Sequence, residues 1–540
     1  MSLKEIFQSY AEHQAARILT QMDRDPDSPT FGCFDRNYWH YKIRDFSSSI
    51  LQQGLFTLEA IAKTSIPGFS SSGIPDSWRV GAMNALARQV DSSGRVDEYY
   101  PYEGSYPAAA FGLYAAGKVL WDWQQHRPDL AAQVDTDRLS LLANQLGSRM
   151  ETEASNQQAA GLAGLAFAEK LGLLTNAKYT VREQADQLFR NLHPEGWFTE
   201  YGGPDFGYLT VTIDVLVDYY DMTGDGRSPE AIDRAVEFLA QLVGADNKLP
   251  STLNSRNTDY VVPYGLVKTA HRNSLASWLV ETLFEKLSQP SHFAWATDDR
   301  YHCHYIFASI VRSIEHIDKM SAAVEPEFRG KSVWLEGCGY QIYWSEDQSW
   351  NAYVGTKKGG LVRIHRRGGF PAIVDHGWRV KQENQIWTNN WWEQSWQITQ
   401  ENELLRIQGN CHKTKYHVPS PPKHFVLRVL SFLLREKVIP LLKRVMIFRP
   451  GMKDGTQFTR NISMTQTGLE IEDKFSPLTG AIAYPSPRQN LRHVASADSF
   501  SPEELTPSLL GDRQYNLDKK TVIYTQWKPD SKPQLSRQEP

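Results

Sequence analysis

The feature that most constrains this chain is a period. Phe34, Val96, Met150, Phe198, Leu249 and Phe293 each mark a short polar segment between two helical patterns, at separations of 62, 54, 48, 51 and 44 residues. Apolar residues at three-and-four spacing predict helices near 3–22, 38–63, 78–90, 106–125, 136–148, 156–173, 180–192, 207–222, 229–243, 259–270, 272–288 and 301–319, two per period. A helix pair cannot bury its apolar faces alone, so six pairs stack either as an open solenoid or as a closed ring with inner and outer helices. Several second helices are rich in small residues, as in 106–117 and 156–164, and small side chains let helix axes approach closely. We therefore expect a closed (α/α)6 toroid over residues 1–325, with those helices on its inner wall and the polar segments gathered at one rim.

From about residue 331 the pattern changes to alternation with glycine turns, as in 339–344, 361–365, 372–374 and 522–525. This predicts an antiparallel β-sandwich over 331–525 and an α+β multidomain chain. One segment departs from it: 424–448 (HFVLRVLSFLLREKVIPLLKRVMIF) is long, apolar and basic. It is too charged to span a bilayer, and suits either packing on the sandwich or contact with a membrane surface or a partner. Residues 526–540, polar with three prolines, read as a disordered tail.

Composition narrows the function. At 41% hydrophobic and 22% charged residues the chain is globular, and its formal net charge of −4 offers no global basic field for nucleic acid. Cys33, Cys303, Cys338 and Cys411 form no CxxC pair, which argues against a disulfide scaffold or zinc ribbon and predicts a reducing compartment. The start MSLKEIFQSYAEHQ lacks a secretory signal, so a cytoplasmic location is expected, or a periplasmic or secreted one if a signal was removed. No Gly-x-Gly-x-x-Gly or P-loop opens a helix, so no cofactor is expected. His302 and His304, two apart on a helix, point different ways, so no metal is expected either.

Sixteen Trp, 24 Tyr and 23 Phe, set among many amides, suit a glycan, since aromatic faces stack on sugars. Trp391, Trp392 and Trp396 are either such a platform or sandwich core. The polar segments carry the remaining candidates: Arg36, Tyr38 and Trp39; Glu98 and Tyr102; Asn156; Glu200, Tyr201 and Asp205; the stretch 254–257; and Arg300, His302 and His304.

The helical repeat followed by strands is joined by three local stretches: 195–208 (EGWFTEYGGPDFGY), 156–162 (NQQAAGL), and 359–365 (GGLVRIH) followed by 369–377 (GFPAIVDHG). Together they resemble the heparinase II/III-like polysaccharide lyases. The resemblance implies a toroid and a sandwich with a cleft between them, with Tyr208 working as acid or base and Asn156 neutralising a carboxylate. Gln157 and Gln158 stand where that family has a histidine, and His365 or His376 stands for its sandwich histidines.

β-Elimination on a uronate polymer needs donors that neutralise the carboxylate, a base for the adjacent proton and an acid for the leaving oxygen. Asn156 with Arg36 or Arg300 fits the first role, His302 or His304 the second and Tyr208 the third. The arginines could instead pair only with Asp35 and Asp299, and Tyr208 could merely cap the cavity. A glycoside hydrolase would draw on Glu98, Glu200 and Asp205. A uronate epimerase would return the proton to the other face, and a non-catalytic glycan-binding protein would keep only the cleft. The expectation carried forward is a polysaccharide lyase whose partner is an acidic polysaccharide or oligosaccharide.

Overall fold

A computed structural model describes the chain except residues 65, 67–72, 252, 254, 402, 415–417, 439–454, 487–499, 501, 530–533 and 539–540, and the side chains of 303, 304, 502 and 534–538. The chain forms two compact units. One comprises Met1–Phe238, Tyr260–Glu325 and Pro419–Arg444; the other comprises Leu239–Asp259, Pro326–Val418 and Val445–Pro540. Two segments thus fall on the side opposite to the sequence expectation. The fifth polar segment joins the sheet-rich unit, and the basic insertion joins the helical one.

Among the described residues, twelve helices make the ring of the first unit: α1 Leu3–Leu19, α2 Gly54–Lys63, α3 Asp76–Gln89, α4 Tyr106–His126, α5 Thr136–Gly147, α6 Ser155–Lys170, α7 Val181–Arg190, α8 Phe206–Thr223, α9 Arg227–Gln241, α10 Tyr264–Thr269, α11 Ser274–Phe284 and α12 Phe307–Ser313. The even-numbered helices form the inner wall. Each packs on the next, α2 on α4, α4 on α6, α6 on α8, α8 on α10 and α10 on α12, and α12 closes the ring by packing back on α2. The small residues do what their size suggests. A Cβ on Gly164 of α6 would lie 2.8 Å from the backbone nitrogen of Tyr114 in α4, so those two backbones meet because nothing stands between them.

Three predicted helices differ from the periodicity. Over 38–63 the chain makes a short helix Arg36–Trp39, then a 3-10 turn Ser49–Gln53, then α2. Asp35 causes the break: its carboxylate caps Asn37 and also accepts from the backbone nitrogen of Ser48 at 2.8 Å, folding the intervening loop back. The span 301–319 opens with a turn at Asp299–Tyr301 and a π-helical turn at His302–Ile306 before α12. The pattern at 259–270 yields only α10, which starts after Pro263.

The waist of the ring buries charge. Asp218 of α8 accepts from Arg312 of α12 at 2.5 Å, from Tyr264 of α10 at 3.2 Å and from the Tyr114 hydroxyl, and lies 3.0 Å from the Lys118 ammonium. Burial alone would raise its pKa, but Arg312 and Lys118 hold it below the usual carboxylate range. The Arg312 guanidinium sits over the Tyr264 ring at 3.5 Å. One carboxylate therefore ties four inner helices together.

A further helix, α13 (Pro421–Leu434), lies on the rim of this unit. Arg428 forks onto both oxygens of Asp45 at 2.7 and 2.8 Å, Glu436 accepts from Arg95 at 2.8 Å, and Phe432 meets Tyr102 edge-on with centroids 5.4 Å apart. The expected packing on the sandwich is thus replaced by packing on the helical unit; residues 439–448 of that insertion lie outside the described residues. Among the described residues no helix is long and apolar enough to cross a membrane.

The second unit holds strands β1 Val333–Leu335, β2 Tyr340–Trp344, β3 Trp350–Gly355, β4 Leu361–Arg366, β5 Ile373–Val374, β6 Trp378–Gln382, β7 Gln385–Thr388, β8 Gln397–Glu401, β9 Leu404–Asn410, β10 His412–Lys413, β11 Gln457–Thr465, β12 Gly468–Phe475, β13 Ala481–Pro485, β14 Tyr515–Asn516, β15 Thr521–Trp527 and β16 Gln534–Gln538. They form three antiparallel sheets, ordered β1-β2-β3-β4-β5, β10-β7-β6-β13-β14 and β16-β15-β12-β11-β9-β8. One core shared by all three, around Trp350, Trp378, Ile407, Phe458, Ile462 and Trp527, makes them a sandwich. Alternation carries it: Phe458, Arg460, Ile462 and Met464 of β11 are buried, while Thr459 and Ser463 between them are half-buried. Arg460 is fully buried with Asp375 and Asp473 as partners. Where the tail was expected to be disordered, β16 pairs with β15.

Candidate active site

The inner helices all begin at the rim, so the first turns of α6 and α8 and the segments preceding α10 and α12 meet there. The stretch 195–205 is bent to reach it. Gly196 has φ +98 and lies so close to the carbonyl of Arg234 that a Cβ would be 2.2 Å from it, while Trp197 and Phe198 are buried. Isolated bridges join Glu200 to Ala154 and to Gly203. The Glu200 carboxylate then accepts from the backbone nitrogen of Asn156 at 3.3 Å, an anion at the N-terminus of α6. Asp205 caps α8 by accepting from the backbone nitrogen of Tyr208 at 3.1 Å, which fixes Tyr208 in the first turn.

Around Tyr208 a row of tyrosines crosses the mouth. Its ring meets Tyr260 edge-on at 6.4 Å, and Tyr260 stacks on Tyr305 at 6.2 Å with planes 20° apart. Burial, then the neighbouring Tyr208 and Tyr305, push the Tyr260 hydroxyl well above its ordinary pKa. Tyr305 feels Glu98, Tyr301, Arg300 and Glu200 electrostatically, which joins this row to the rim segments on either side.

Arg300 lies over the rings of Tyr99 and Tyr301, at 5.1 and 5.7 Å, and donates to Glu98 at 3.4 Å. Glu98 also accepts from Ser105, the cap of α4, at 2.9 Å. Beneath it Glu103 accepts from the backbone nitrogens of Glu98 and Tyr99 at 2.7 and 2.6 Å. Burial and the adjacent Glu98 push Glu103 up to about 8, so it holds its proton at neutral pH. Among the described residues, the buried atoms here with no hydrogen-bond partner include Asn156 Nδ2, Arg300 Nε, Glu103 Oε2 and the Tyr260 hydroxyl. An amide and a guanidinium nitrogen are donor types that bond carboxylate oxygens.

The other candidates fall elsewhere. His302 is fully buried: its Nε2 lies 2.9 Å from the Tyr10 hydroxyl, its ring is parallel to that of Tyr10, and burial lowers its pKa to about 3. That placement makes it a core residue of the outer wall, closed to a substrate proton. The side chain of His304 lies outside the described residues, as does Asn254 of the stretch 254–257. Arg36 does not pair with Asp35; it donates to the carbonyl of Thr20 at 2.9 Å and lies over Trp39 and Tyr41, while Asp35 takes Arg44. Arg300 pairs with Glu98 rather than with Asp299, which holds Arg17. Tyr38 is half-buried, Trp39 donates to Gln21, Tyr102 is exposed against α13, and the Tyr201 hydroxyl accepts from Gln157 at 3.2 Å.

In the second unit His365 is fully buried between Asp246, at 2.6 Å, and Arg363, at 2.8 Å. Burial lowers His376 to about 4. Trp396 is buried with its indole nitrogen on the carbonyl of Trp391, and Trp391 stacks on His412, so these two serve the sandwich. Sequence reasoning did not single out Tyr260, Tyr305 and Glu103. The signal available was position: each lies within a few residues of the start of an inner helix, as Tyr208 does.

No family model matches the chain, and no curated protein matches its sequence. Its fold does match a solved structure. The X-ray structure of the Streptomyces coelicolor A3 chondroitin AC lyase in complex with chondroitin sulphate superposes with a TM-score of 0.52 at 10% identity, over 90% of this chain and 70% of that one. A mutant of the same lyase gives 0.48 at 9% identity, over 88% and 68%. The chain is thus similar in fold to a polysaccharide lyase: a helical toroid followed by an antiparallel β-sandwich.

Proposed function

We propose that the chain is a heparinase II/III-like polysaccharide lyase that cleaves an acidic, uronate-containing glycan by β-elimination at the rim of its toroid. The observation that carries this reading is the pair of buried, unpartnered donors, Asn156 Nδ2 and Arg300 Nε, on the same tyrosine-lined mouth as Tyr208. Buried donors left without partners are costly unless a ligand completes them. A uronate carboxylate would do so, and its neutralisation makes the adjacent C–H acidic. The chondroitin sulphate held by one solved neighbour of the fold is a glycan of this acidic kind.

With His302 sealed in the core, Tyr208 is assigned both proton transfers. Its oxygen takes the proton from the carbon next to the carboxylate and returns it to the glycosidic oxygen as that C–O bond breaks, leaving a carbon–carbon double bond. Tyr208, Tyr260 and Tyr305 form an aromatic wall behind the mouth, the first two of them buried.

The test is the ultraviolet absorbance of the conjugated product after incubation with a panel of uronate polysaccharides. Wild type is expected to raise it and Tyr208→Phe to reduce the rate by about 10²- to 10⁴-fold, the usual range for an acid–base group. New reducing ends with no absorbance in wild type would instead establish hydrolysis through Glu98, Glu200 or Asp205 and overturn the proposal.

A further inference from the structure

Helix α13 wears its apolar side chains outward. Phe425, Val426, Val429, Leu430, Phe432 and Leu433 are exposed, whereas Ser431 is its buried residue. A surface helix ordinarily turns its apolar stripe toward the protein and its charges toward water. Here the reverse holds, because what fastens α13 to the rim is largely ionic: Arg428 on Asp45, Arg435 at 3.7 Å from Asp91, and Glu436 of the turn that follows on Arg95.

Charge says what covers the apolar side. Arg428 and Arg435 are held by Asp45 and Asp91, so the exposed cations beside the apolar side chains are Lys423 and Lys437, with Lys443 and Arg444 following in the sequence, within a chain of net charge −4. Phenylalanine and branched apolar residues flanked by lysine and arginine are the pattern of a helix that lies in the headgroup plane of a bilayer. Anionic headgroups complement the flanks. A second copy would fit worse, since a two-fold contact apposes the same basic patch to itself.

We infer that α13 is a membrane-docking helix that seats Phe425, Val429 and Leu433 in an anionic lipid surface. It rests on the rim segment that carries Glu98 and Tyr102, so docking brings that part of the mouth to the bilayer face, where a lipid-attached glycan would be presented. The inference is independent of whether the mouth catalyses elimination.

The experiment is co-sedimentation of the full chain with vesicles of phosphatidylcholine alone or with phosphatidylglycerol added. Wild type is expected to pellet with the second and not the first. The double substitution Phe425→Ser with Leu433→Ser is expected to lower the bound fraction about tenfold with an unchanged melting temperature, and Lys423→Glu with Lys437→Glu to do the same. Failure of wild type to pellet with either vesicle overturns the inference. So does a concentration-dependent dimer abolished by the serine variant, which makes a second copy the occupant. A serine variant with a lowered melting temperature and no vesicle binding in wild type overturns it too, by showing that the chain's own residues cover the face.

Discussion

At the waist of the toroid Asp218 gathers Arg312, Lys118, Tyr114 and Tyr264, so each charge there faces an opposite one or a hydroxyl. Ten residues nearer the start of the same helix, about 15 Å along its axis, Tyr208 enters a mouth where Asn156 Nδ2, Arg300 Nε and the Tyr260 hydroxyl are buried and unpartnered. Both layers belong to one ring of helices and both bury polar groups. The waist spends its polar groups on closing the ring; those three atoms of the mouth bond nothing.

This contrast can be broken from either side. The largest effect is expected at the waist. Asp218→Ala leaves a guanidinium and an ammonium facing each other without their carboxylate, and should destabilise the chain by about 3–5 kcal/mol in denaturant unfolding. A loss under about 1 kcal/mol would mean that the waist charges are not coupled as described. At the mouth the pattern should invert. Asn156→Ala removes a donor that bonds nothing in the unliganded protein, so the melting temperature should hold while turnover on a uronate substrate falls about 10²-fold, the usual cost of losing one such donor. A variant that melts early with its turnover intact would make Asn156 structural.

The smallest effect sharpens the picture of the mouth by pH. Glu103 is pushed up to about 8 from its ordinary 4.5. Between those values the unfolded chain releases its proton while the folded chain keeps it, so its contribution to stability is complete below about 4.5 and is lost as pH rises toward about 8. Glu103→Gln should therefore flatten the fall of melting temperature across that window and leave acid stability unchanged. An identical pH profile in the variant would show that Glu103 ionises normally.

Much of the ring was legible in the sequence because helix periodicity and small-residue faces are local signals, and nine of the twelve ring helices follow them closely while 38–63, 259–270 and 301–319 do so only in part. Tyr208 was singled out instead by the resemblance of 195–208 to the lyase family, and Asp205 caps the helix three residues before it. The mouth was harder. Whether His302 faces substrate or core depends on Tyr10, 292 residues away, and no local spacing encodes that partnership. Arg36 and Arg300 each had an acidic neighbour in sequence, yet each took a partner from another segment, because rim geometry outweighs adjacency. The insertion at 424–448 was read as packing on the sandwich or meeting a membrane or partner, and its described part, 424–438, is instead held to the helical unit by ionic contacts with Asp45 and Arg95.

Ring closure has a consequence for how the protein is made. The contact that completes the inner wall joins its first helix, Gly54–Lys63, to its last, Phe307–Ser313, and contacts between such distant parts of a chain form slowly. During synthesis at roughly 5–20 residues per second the earlier helices must wait on the order of ten seconds or more before the last one leaves the ribosome. For that interval the unit is an open crescent with its small-residue inner wall bare. Its yield in a cell should accordingly depend on chaperones that hold nascent chains, more than its finished compactness suggests.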